Sequence, residues 1–368
     1  MTGPRYTDLV QSLPATVPFV GPEEQERARG EAFAARLGAN ENLFGPSPAA
    51  IDAMRESLAD IWKYGDPGSH DLRLALAAHM NAAPENVLVG EGIDGLLCNL
   101  ARLLVAPGDA VVTSEGAYPT FNYHVAGFGG ALHKVPYRDD HEDITALFDR
   151  ARETRAKLVY LANPDNPMGT RHRGERIAAA LDTLPDGCLL LLDEAYVEFA
   201  PADTVPPIAP DDPRVIRMRT FSKAYGMAGA RVGYAVGAAD LIRAFDRIRN
   251  HFGVNRVAQV GALAALHDRA WLQQVQDSMA QSRAEIERIA RENGLTALPS
   301  ATSFVAVDCG ADGAFAREVL EGLLARGVFV RMPAVAPLDR CIRISCGPPA
   351  EMAVLARTLP RVLSDLRG

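Results

Sequence analysis

The stretch Thr220-Phe221-Ser222-Lys223-Ala224-Tyr225-Gly226-Met227-Ala228-Gly229-Ala230-Arg231-Val232-Gly233-Tyr234 decides how the rest of the chain is read. Before it, the alternating run Val215–Arg219 reads as a strand, and Val232–Val236 reads as another after it. A lysine held between two strands has little access to water, so its ammonium form is disfavoured and its pKa should fall. That is the condition for an amine nucleophile able to form Schiff bases. Arg231, eight positions further on, offers a planar fork of donors suited to a phosphate, and Ser222 offers a hydroxyl to the same group. The intervening glycines let backbone approach a bound group closely.

The totals narrow the function classes. At 368 residues the chain is long enough for two domains, and 48% hydrophobic with 23% charged residues is an ordinary globular composition. A net charge of −8 argues against a nucleic-acid surface. No apolar run reaches membrane-spanning length, and Met1–Tyr6 lacks the apolar core of a signal peptide. Five scattered cysteines suggest reduced thiols and a cytoplasmic protein. Cys341 and Cys346 have no second pair at metal-ligand spacing, so no metal is expected.

Two further strand ends carry polar groups at regular distances from Lys223. Lys157–Leu161 reads as a buried strand running into Ala162-Asn163-Pro164-Asp165-Asn166-Pro167-Met168-Gly169-Thr170. Cys188–Leu192 reads as a strand buried on both faces, and it ends abruptly in Asp193-Glu194-Ala195-Tyr196. Asn166, Asp193 and Lys223 are 27 and 30 residues apart, each about one strand-plus-helix unit, so successive strands deliver them to one sheet edge. A carboxylate buried there needs a partner.

The run S-K-x-x-x-x-x-G-x-R-x-G over Ser222–Gly233 resembles the Schiff-base lysine signature of fold-type I pyridoxal-phosphate (PLP) aminotransferases. Within these the chain is most similar to the histidinol-phosphate aminotransferase family, over about residues 36 to 360. The resemblance implies an α/β fold of type I, with a large domain built on a mostly parallel sheet flanked by helices and a small α/β C-terminal domain. The expected division is an arm at 1–45 joining the small domain, read as irregular, Pro-rich and charge-mixed to about residue 35, a PLP-binding domain at 46–250 and the small domain at 251–368. It also implies that Lys223 is the catalytic residue, that Asp193 faces the protonated pyridine nitrogen, and that Asn166 and Tyr196 bond the ring hydroxyl. Ser222 and Arg231 fall where the family holds the cofactor phosphate.

Other segments are read the same way. Arg36–Pro48 has the turn chemistry of a loop and resembles the family's N-A-N-E-N-P-x-G-P-S-P segment at the site mouth, with Leu43 where proline is common and Asn40 placed to meet substrate. A helix is expected after Ser47, with Pro48 at its first position and Ile51, Met54, Leu58 and Ile61 along one face. Tyr64 occupies the place of the aromatic in Y-P-D-P that reaches a partner's cofactor phosphate, although Gly65 replaces the proline; a homodimer is implied. Val87–Val89 runs into Gly90-Glu91-Gly92-Ile93-Asp94-Gly95 and a helix from Leu96 to Leu104. That string is also G-x-G-x-x-G, with Glu115 about 20 residues on, which keeps a nicotinamide-dependent oxidoreductase open as a rival. In the PLP family this loop, here Gly92, Ile93 and Asp94, holds the phosphate through its backbone. Tyr118, or Phe121 in its stead, is placed to stack on the cofactor ring. N-P-N-N-P-T-G is the family's form of the Asn163–Gly169 turn, with Met168 replacing threonine.

Residues beyond about 250 are expected to form a joint, at which His251, Phe252 and Asn255 are pocket or packing residues, then amphipathic helices over Arg256–Asn293. Ser303 stands where the family often has asparagine. On Cys341–Ser345, Arg343 points away from the face of Ile342 and Ile344, and the resemblance has it grip a substrate carboxylate. Arg331 matches a second arginine that grips the phosphate of histidinol phosphate. The expected reaction is a ping-pong transamination with L-glutamate as donor and imidazole-acetol phosphate as acceptor. An aminotransferase for aromatic or other amino acids, and a PLP decarboxylase of a phosphorylated amino acid, share the same motifs and stay open.

Overall fold

The computed structural model describes residues 3–15 and 20–367. A seven-stranded sheet forms its centre: β1 (Val87–Gly90), β2 (Ala110–Ser114), β3 (Ala131–Val135), β4 (Leu158–Ala162), β5 (Leu189–Asp193), β6 (Val215–Thr220) and β7 (Gly233–Val236). The strand order is β1-β7-β6-β5-β4-β2-β3. From β6 to β3 every neighbouring pair is parallel, whereas β7 runs antiparallel to both β1 and β6. Every residue of β4, β5 and β6 is buried, as a parallel sheet covered on both faces requires.

Side chains alternate between the two faces. Leu158, Tyr160, Leu189, Leu191, Ile216 and Met218 pack with Leu96, Leu100, Phe121 and Val125. Val159, Leu161, Leu190, Leu192 and Val215 pack with Ile144, Leu147, Phe148 and Ile177. Because polar groups replace apolar ones only where the strands end, the sheet's carboxyl edge collects the chemistry.

A second layer of structure closes over that edge. Phe304–Asp308 pairs antiparallel with Cys341–Ser345 and with Thr296–Ala297, and Ala35–Arg36 pairs parallel with Val328–Phe329. Helices Arg269–Glu292, Gly313–Ala325 and Pro349–Arg367 back these strands. The helix Arg256–His267 packs against Pro48–Ser57 and His70–Met80, so apolar packing is continuous across residues 250 and 251.

Three local expectations change. The arm is not irregular among its described residues, because Asp8–Ser12 and Pro22–Arg29 are helical. In the second of these Pro22 opens the helix, Glu23 and Glu24 sit in the first turn, and Gly30 closes it at φ 78°. The helix expected from Leu96 begins at Gly92, which makes Ile93 and Asp94 first-turn residues. The helix after Ser47 ends at Ser57, and the expected apolar row does not dive inward: Ile51 is 38% exposed, Leu58 52% and Ile61 65%.

Candidate active site

Strand ends bring the candidate residues together. Asp193 ends β5, beside Ala162 of β4 and Met218 of β6. Asn166 lies in the turn after β4, and Lys223 lies three residues past β6. β1 ends at the same edge, because Gly90 pairs with Gly233 and Gly233 pairs with Thr220.

Lys223 is enclosed. Its Nζ donates to the carbonyl of Asn40 at 2.9 Å and lies 5.6 Å from the Tyr196 ring centroid. Burial, reinforced by the Arg343 guanidinium, lowers its pKa to about 8, so roughly a tenth of the amine is unprotonated at pH 7 and about half at pH 8. Asn40 has a left-handed backbone, φ 55°, which asparagine tolerates. Its side-chain amide donates to the Tyr196 hydroxyl at 3.2 Å, and its Oδ1 accepts from Ser345 Oγ at 3.1 Å. One residue thus joins Lys223, Tyr196 and the Cys341–Ser345 strand.

Asp193 is buried, and it accepts from the Tyr160 hydroxyl at 2.8 Å and from the Ala195 amide at 3.0 Å. Desolvation pushes its carboxyl up to about 6. Among the described residues no cation bonds it directly, and a protonated ring nitrogen is the kind of partner that suits it. Tyr160 was not singled out in the sequence. A tyrosine inside an otherwise aliphatic strand was the available signal, since a buried hydroxyl must find a partner. Phe121 stacks on that Tyr160 ring at 4.9 Å and is fully buried, which leaves its faces committed to the core. Tyr118 instead starts the helix Pro119–Gly127, where its phenol feels the charges of Asp94, Asp193 and Arg231.

Asn166 donates from Nδ2 to the Tyr196 hydroxyl at 3.5 Å and accepts from Arg343 at Oδ1. Arg343 also reaches the Gly38 carbonyl at 3.5 Å, lies over the Phe304 ring at 5.2 Å and has an unpartnered buried Nε. Arg331 forms an isolated antiparallel bridge with Arg343, which sends both side chains to the same side. Its guanidinium lies over Phe329 and donates to the carbonyl of Val20 in the arm.

Opposite lies a pocket for an anion. Ser222 accepts a hydrogen bond from Thr220 at 2.9 Å and from Arg231 at 3.4 Å. A Cβ added at Gly92 would stand 2.8 Å from the Arg231 guanidinium, and one at Gly233 would stand 2.8 Å from the Ile93 amide nitrogen. Glycine is required at both places for the helix start to lie against the arginine. The side chain of Asp94 pairs with His124 at 2.8 Å, so its contribution to that cradle is the backbone. The donor set of amine, buried carboxylate, phenol and cradled anion pocket fits pyridoxal phosphate.

The dinucleotide reading of Gly90, Gly92 and Gly95 does not fit. That fingerprint needs two adjacent parallel strands, whereas β1 is an edge strand paired antiparallel and β2 lies at the far side of the sheet. Glu115 is therefore carried away from the glycine turn.

Tyr64 is not brought to the site of its own chain. It packs on Phe252 at 4.7 Å on an exposed apolar surface with Ile61 and Trp62. Gly65 there has a structural reason: a Cβ would lie 2.7 Å from the Val254 carbonyl, and the loop is held instead by Arg256, which donates to the Tyr64 carbonyl at 2.9 Å. Phe252 is thus a surface partner of Tyr64, and Asn255 is a helix cap accepting from the Ala258 amide at 2.8 Å. Ser303 is buried with an unpartnered hydroxyl.

Comparison with known proteins agrees with this geometry. The model of the family "Aminotransferase class I and II" matches residues 35–359. The histidinol-phosphate aminotransferase of Moorella thermoacetica is 33% identical over 367 residues, covering 99% of this chain and 94% of that protein. That of an Anaeromyxobacter species is 35% identical over 358 residues, covering 96% and 98%. The crystal structure of histidinol-phosphate aminotransferase from Sinorhizobium meliloti in complex with pyridoxal-5'-phosphate superposes with a TM-score of 0.96 at 54% identity, covering 99% of each chain.

Proposed function

This chain belongs to the aminotransferase class I and II family and is a PLP-dependent aminotransferase, and from that premise we propose that it moves the amino group between L-glutamate and imidazole-acetol phosphate. The observation that carries the reading is the enclosed Lys223 amine, bracketed by the buried Asp193 carboxylate and the Arg343 guanidinium. Lys223, Ser222, Arg231, Tyr118, Asn166, Tyr196 and Asp193 would hold the cofactor, with the backbone of Gly92, Ile93 and Asp94 at its phosphate. When bound, pyridoxal phosphate supplies an aldehyde to the amine and a ring that withdraws the electrons left at the substrate's Cα.

The chain's own groups do the rest. Asp193, kept ionised opposite a ring nitrogen, would hold the proton on that nitrogen. Asn166 and Tyr196 would orient the ring hydroxyl. With its amine free, Lys223 Nζ would take the proton from the substrate's Cα as general base and give it back as general acid. Arg343 would grip the α-carboxylate as a fork, and Asn40 would close the site behind it. Arg331 would exchange the Val20 carbonyl for the substrate phosphate. A second copy of the chain, seated on the apolar surface around Trp62, Tyr64 and Phe252, would bring the partner's aromatic to the phosphate pocket. The five free cysteines support a reducing compartment, and hence a cytoplasmic location, as part of the same proposal.

A half-reaction screen tests the reading. Loss of the cofactor absorbance is followed as L-glutamate, histidinol phosphate and phenylalanine are added, in the parent and in Arg331→Ala. The expected result is rapid reaction with the first two, and a KM for histidinol phosphate raised about tenfold or more in Arg331→Ala with glutamate little changed, as loss of a charge-assisted contact predicts. Preference for phenylalanine would instead mark an aromatic aminotransferase, and carbon dioxide release a decarboxylase.

A further inference from the structure

The strand Leu158–Ala162 is aliphatic except for Tyr160, which is fully buried. Its partner on the neighbouring strand is Leu191, and Asp193 lies two residues further on, so the Tyr160 and Asp193 side chains leave the same face of the sheet. At that diagonal separation a long aromatic side chain still reaches its neighbour. The Tyr160 hydroxyl donates to Oδ2 of Asp193 at 2.8 Å, and the Ala195 amide donates to Oδ1 at 3.0 Å. Each carboxylate oxygen is thus held by one donor and keeps acceptor capacity for another. The tyrosine is itself fixed, because Phe121, also fully buried, stacks on its ring at 4.9 Å with 19° between the planes.

That hydroxyl works against the burial of the carboxylate. Desolvation favours the neutral acid, whereas a donor to the carboxylate favours the ion. Of the influences on Asp193 that oppose burial, the Tyr160 hydrogen bond comes first, ahead of the Ala195 amide and the Lys223 charge. Burial also raises the Tyr160 phenol well above its ordinary value, so it keeps its proton and stays a donor at any working pH. The other titratable groups facing Asp193 are the Tyr118 and Tyr196 phenols, the Glu142 and Glu194 carboxyls and the Lys223 amine. Glu194 is committed to Arg217 and Arg219, and Glu142 to Ser114 and the Ala162 amide. Tyr196 bonds Asn40 and Asn166, and Lys223 bonds the Asn40 carbonyl.

We propose that Tyr160 is a positioning residue for the cofactor: its hydroxyl orients the Asp193 carboxylate and keeps it ionised, so that Asp193 holds a proton on the ring nitrogen. The proposal rests on Asp193 being the partner of that nitrogen. Without the hydroxyl, Asp193 takes up a proton at higher pH, and a neutral acid has no charge to offer a protonated ring. The cofactor-free protein must then lose that proton before it binds. The cost of the missing hydroxyl is therefore greatest at low pH and vanishes where Asp193 is ionised in any case.

Calorimetry with pyridoxamine phosphate on the cofactor-free protein tests this, because that form of the cofactor carries no aldehyde to react with Lys223 and the readout is affinity rather than turnover. Tyr160→Phe removes the hydroxyl and keeps the ring that stacks on Phe121. A tenfold rise in the proton affinity of Asp193, which titrates at about 6 in the parent, makes the variant's Kd about fivefold larger at about pH 6 and nearly equal at about pH 8.5. Titrations of the ligand and of Lys223 are common to both proteins and cancel in the ratio. In the PLP-loaded variant, glutamate turnover falls in kcat more than in KM, because a less firmly protonated ring withdraws fewer electrons. On an Asp193→Asn background, Tyr160→Phe has no pH-dependent effect on Kd. A Kd ratio that is the same at both pH values overturns the proposal, as does an equal pH-dependent loss on the Asp193→Asn background. If Asp193→Asn alone leaves the Kd for pyridoxamine phosphate unchanged, Asp193 is not the ring's partner, and the proposal falls with it for that separate reason.

Discussion

Asp193→Asn should make the cofactor-free protein more stable and the loaded one less active, and the structure sets the size of the first effect. Asp193 has an ordinary carboxyl value of 3.8 in the unfolded chain and about 6 in the buried site, where desolvation dominates. A carboxyl whose folded value lies above its unfolded one holds its proton more tightly when folded. It therefore imposes no penalty below the unfolded value, and a growing one as pH rises through the folded value. The gap corresponds to about 3 kcal/mol at pH 8, and to about half of that at pH 5. Asparagine is nearly isosteric. Its oxygen still accepts from the Ala195 amide, and its amide can donate to the Tyr160 hydroxyl, so the local hydrogen bonds survive. Its neutrality also forgoes the attraction of Lys223, which trims the gain. Urea unfolding of cofactor-free parent and variant at pH 5 and pH 8 measures both numbers. The expected gain is about 1 to 3 kcal/mol at pH 8, smaller at pH 5. A variant less stable at pH 8 than the parent, or a gain larger at pH 5, would refute the reasoning. With cofactor bound the sign reverses, because the ring nitrogen loses its anion and the stability contributed by binding shrinks.

Two more perturbations follow from the same geometry. Because burial places the Lys223 amine at about 8, labelling of the cofactor-free protein by an aldehyde and borohydride should rise steeply between pH 7 and pH 9, with the label mapped to Lys223 and absent in Lys223→Ala; label elsewhere, or a flat profile, contradicts the assignment. Gly226→Ala should cost about 2 kcal/mol or more in thermal or urea unfolding, since Gly226 has φ 69° and a Cβ would lie 2.4 Å from the Gly45 carbonyl oxygen, while Gly229→Ala, with nothing near its Cβ, should be close to neutral.

Much of this site was legible in one dimension because parallel strands recur at similar intervals, although the interval from Asp193 to Val215 holds only the short turns Val197–Phe199 and Ala202–Thr204 in place of the expected helix. Asn166, Asp193 and Lys223 each follow a strand of buried apolar residues, and parallel strands must all end at the same edge, so spacing alone brought the three together. The lysine, arginine and glycine pattern of Ser222–Gly233 likewise reflects a short-range requirement, a backbone held close to an anion. Asp8–Ser12 and Pro22–Arg29 read as irregular in sequence, the first because 5 residues are too few to show a period and the second because its charge-rich run lacks an apolar stripe; in the folded chain their helical caps outweigh that. Ile51, Leu58 and Ile61 read as one helical face in sequence, and only the packed chain reveals that they are 38%, 52% and 65% exposed.

Strand order was not legible. That β1 pairs antiparallel at an edge, far from β2, is a property of the assembled sheet, and it alone removed the dinucleotide reading of Gly90–Gly95. The choice between Tyr118 and Phe121 also waited for packing, since only the stacking of Phe121 on Tyr160 commits it to the core. Asn40 meets Tyr196 and Lys223, and Asn166 meets Arg343, across 156 to 183 residues of chain. A sequence can specify which residues end a strand, because hydrophobic burial and backbone propensity are local; it does not display which distant charges share one desolvated volume. Tertiary structure decided that burial brings the Lys223 amine down to about 8, that it pushes the Asp193 carboxyl up, and that Arg343 bonds Asn166, because each of these depends on how much water the fold excludes and on which groups it leaves side by side.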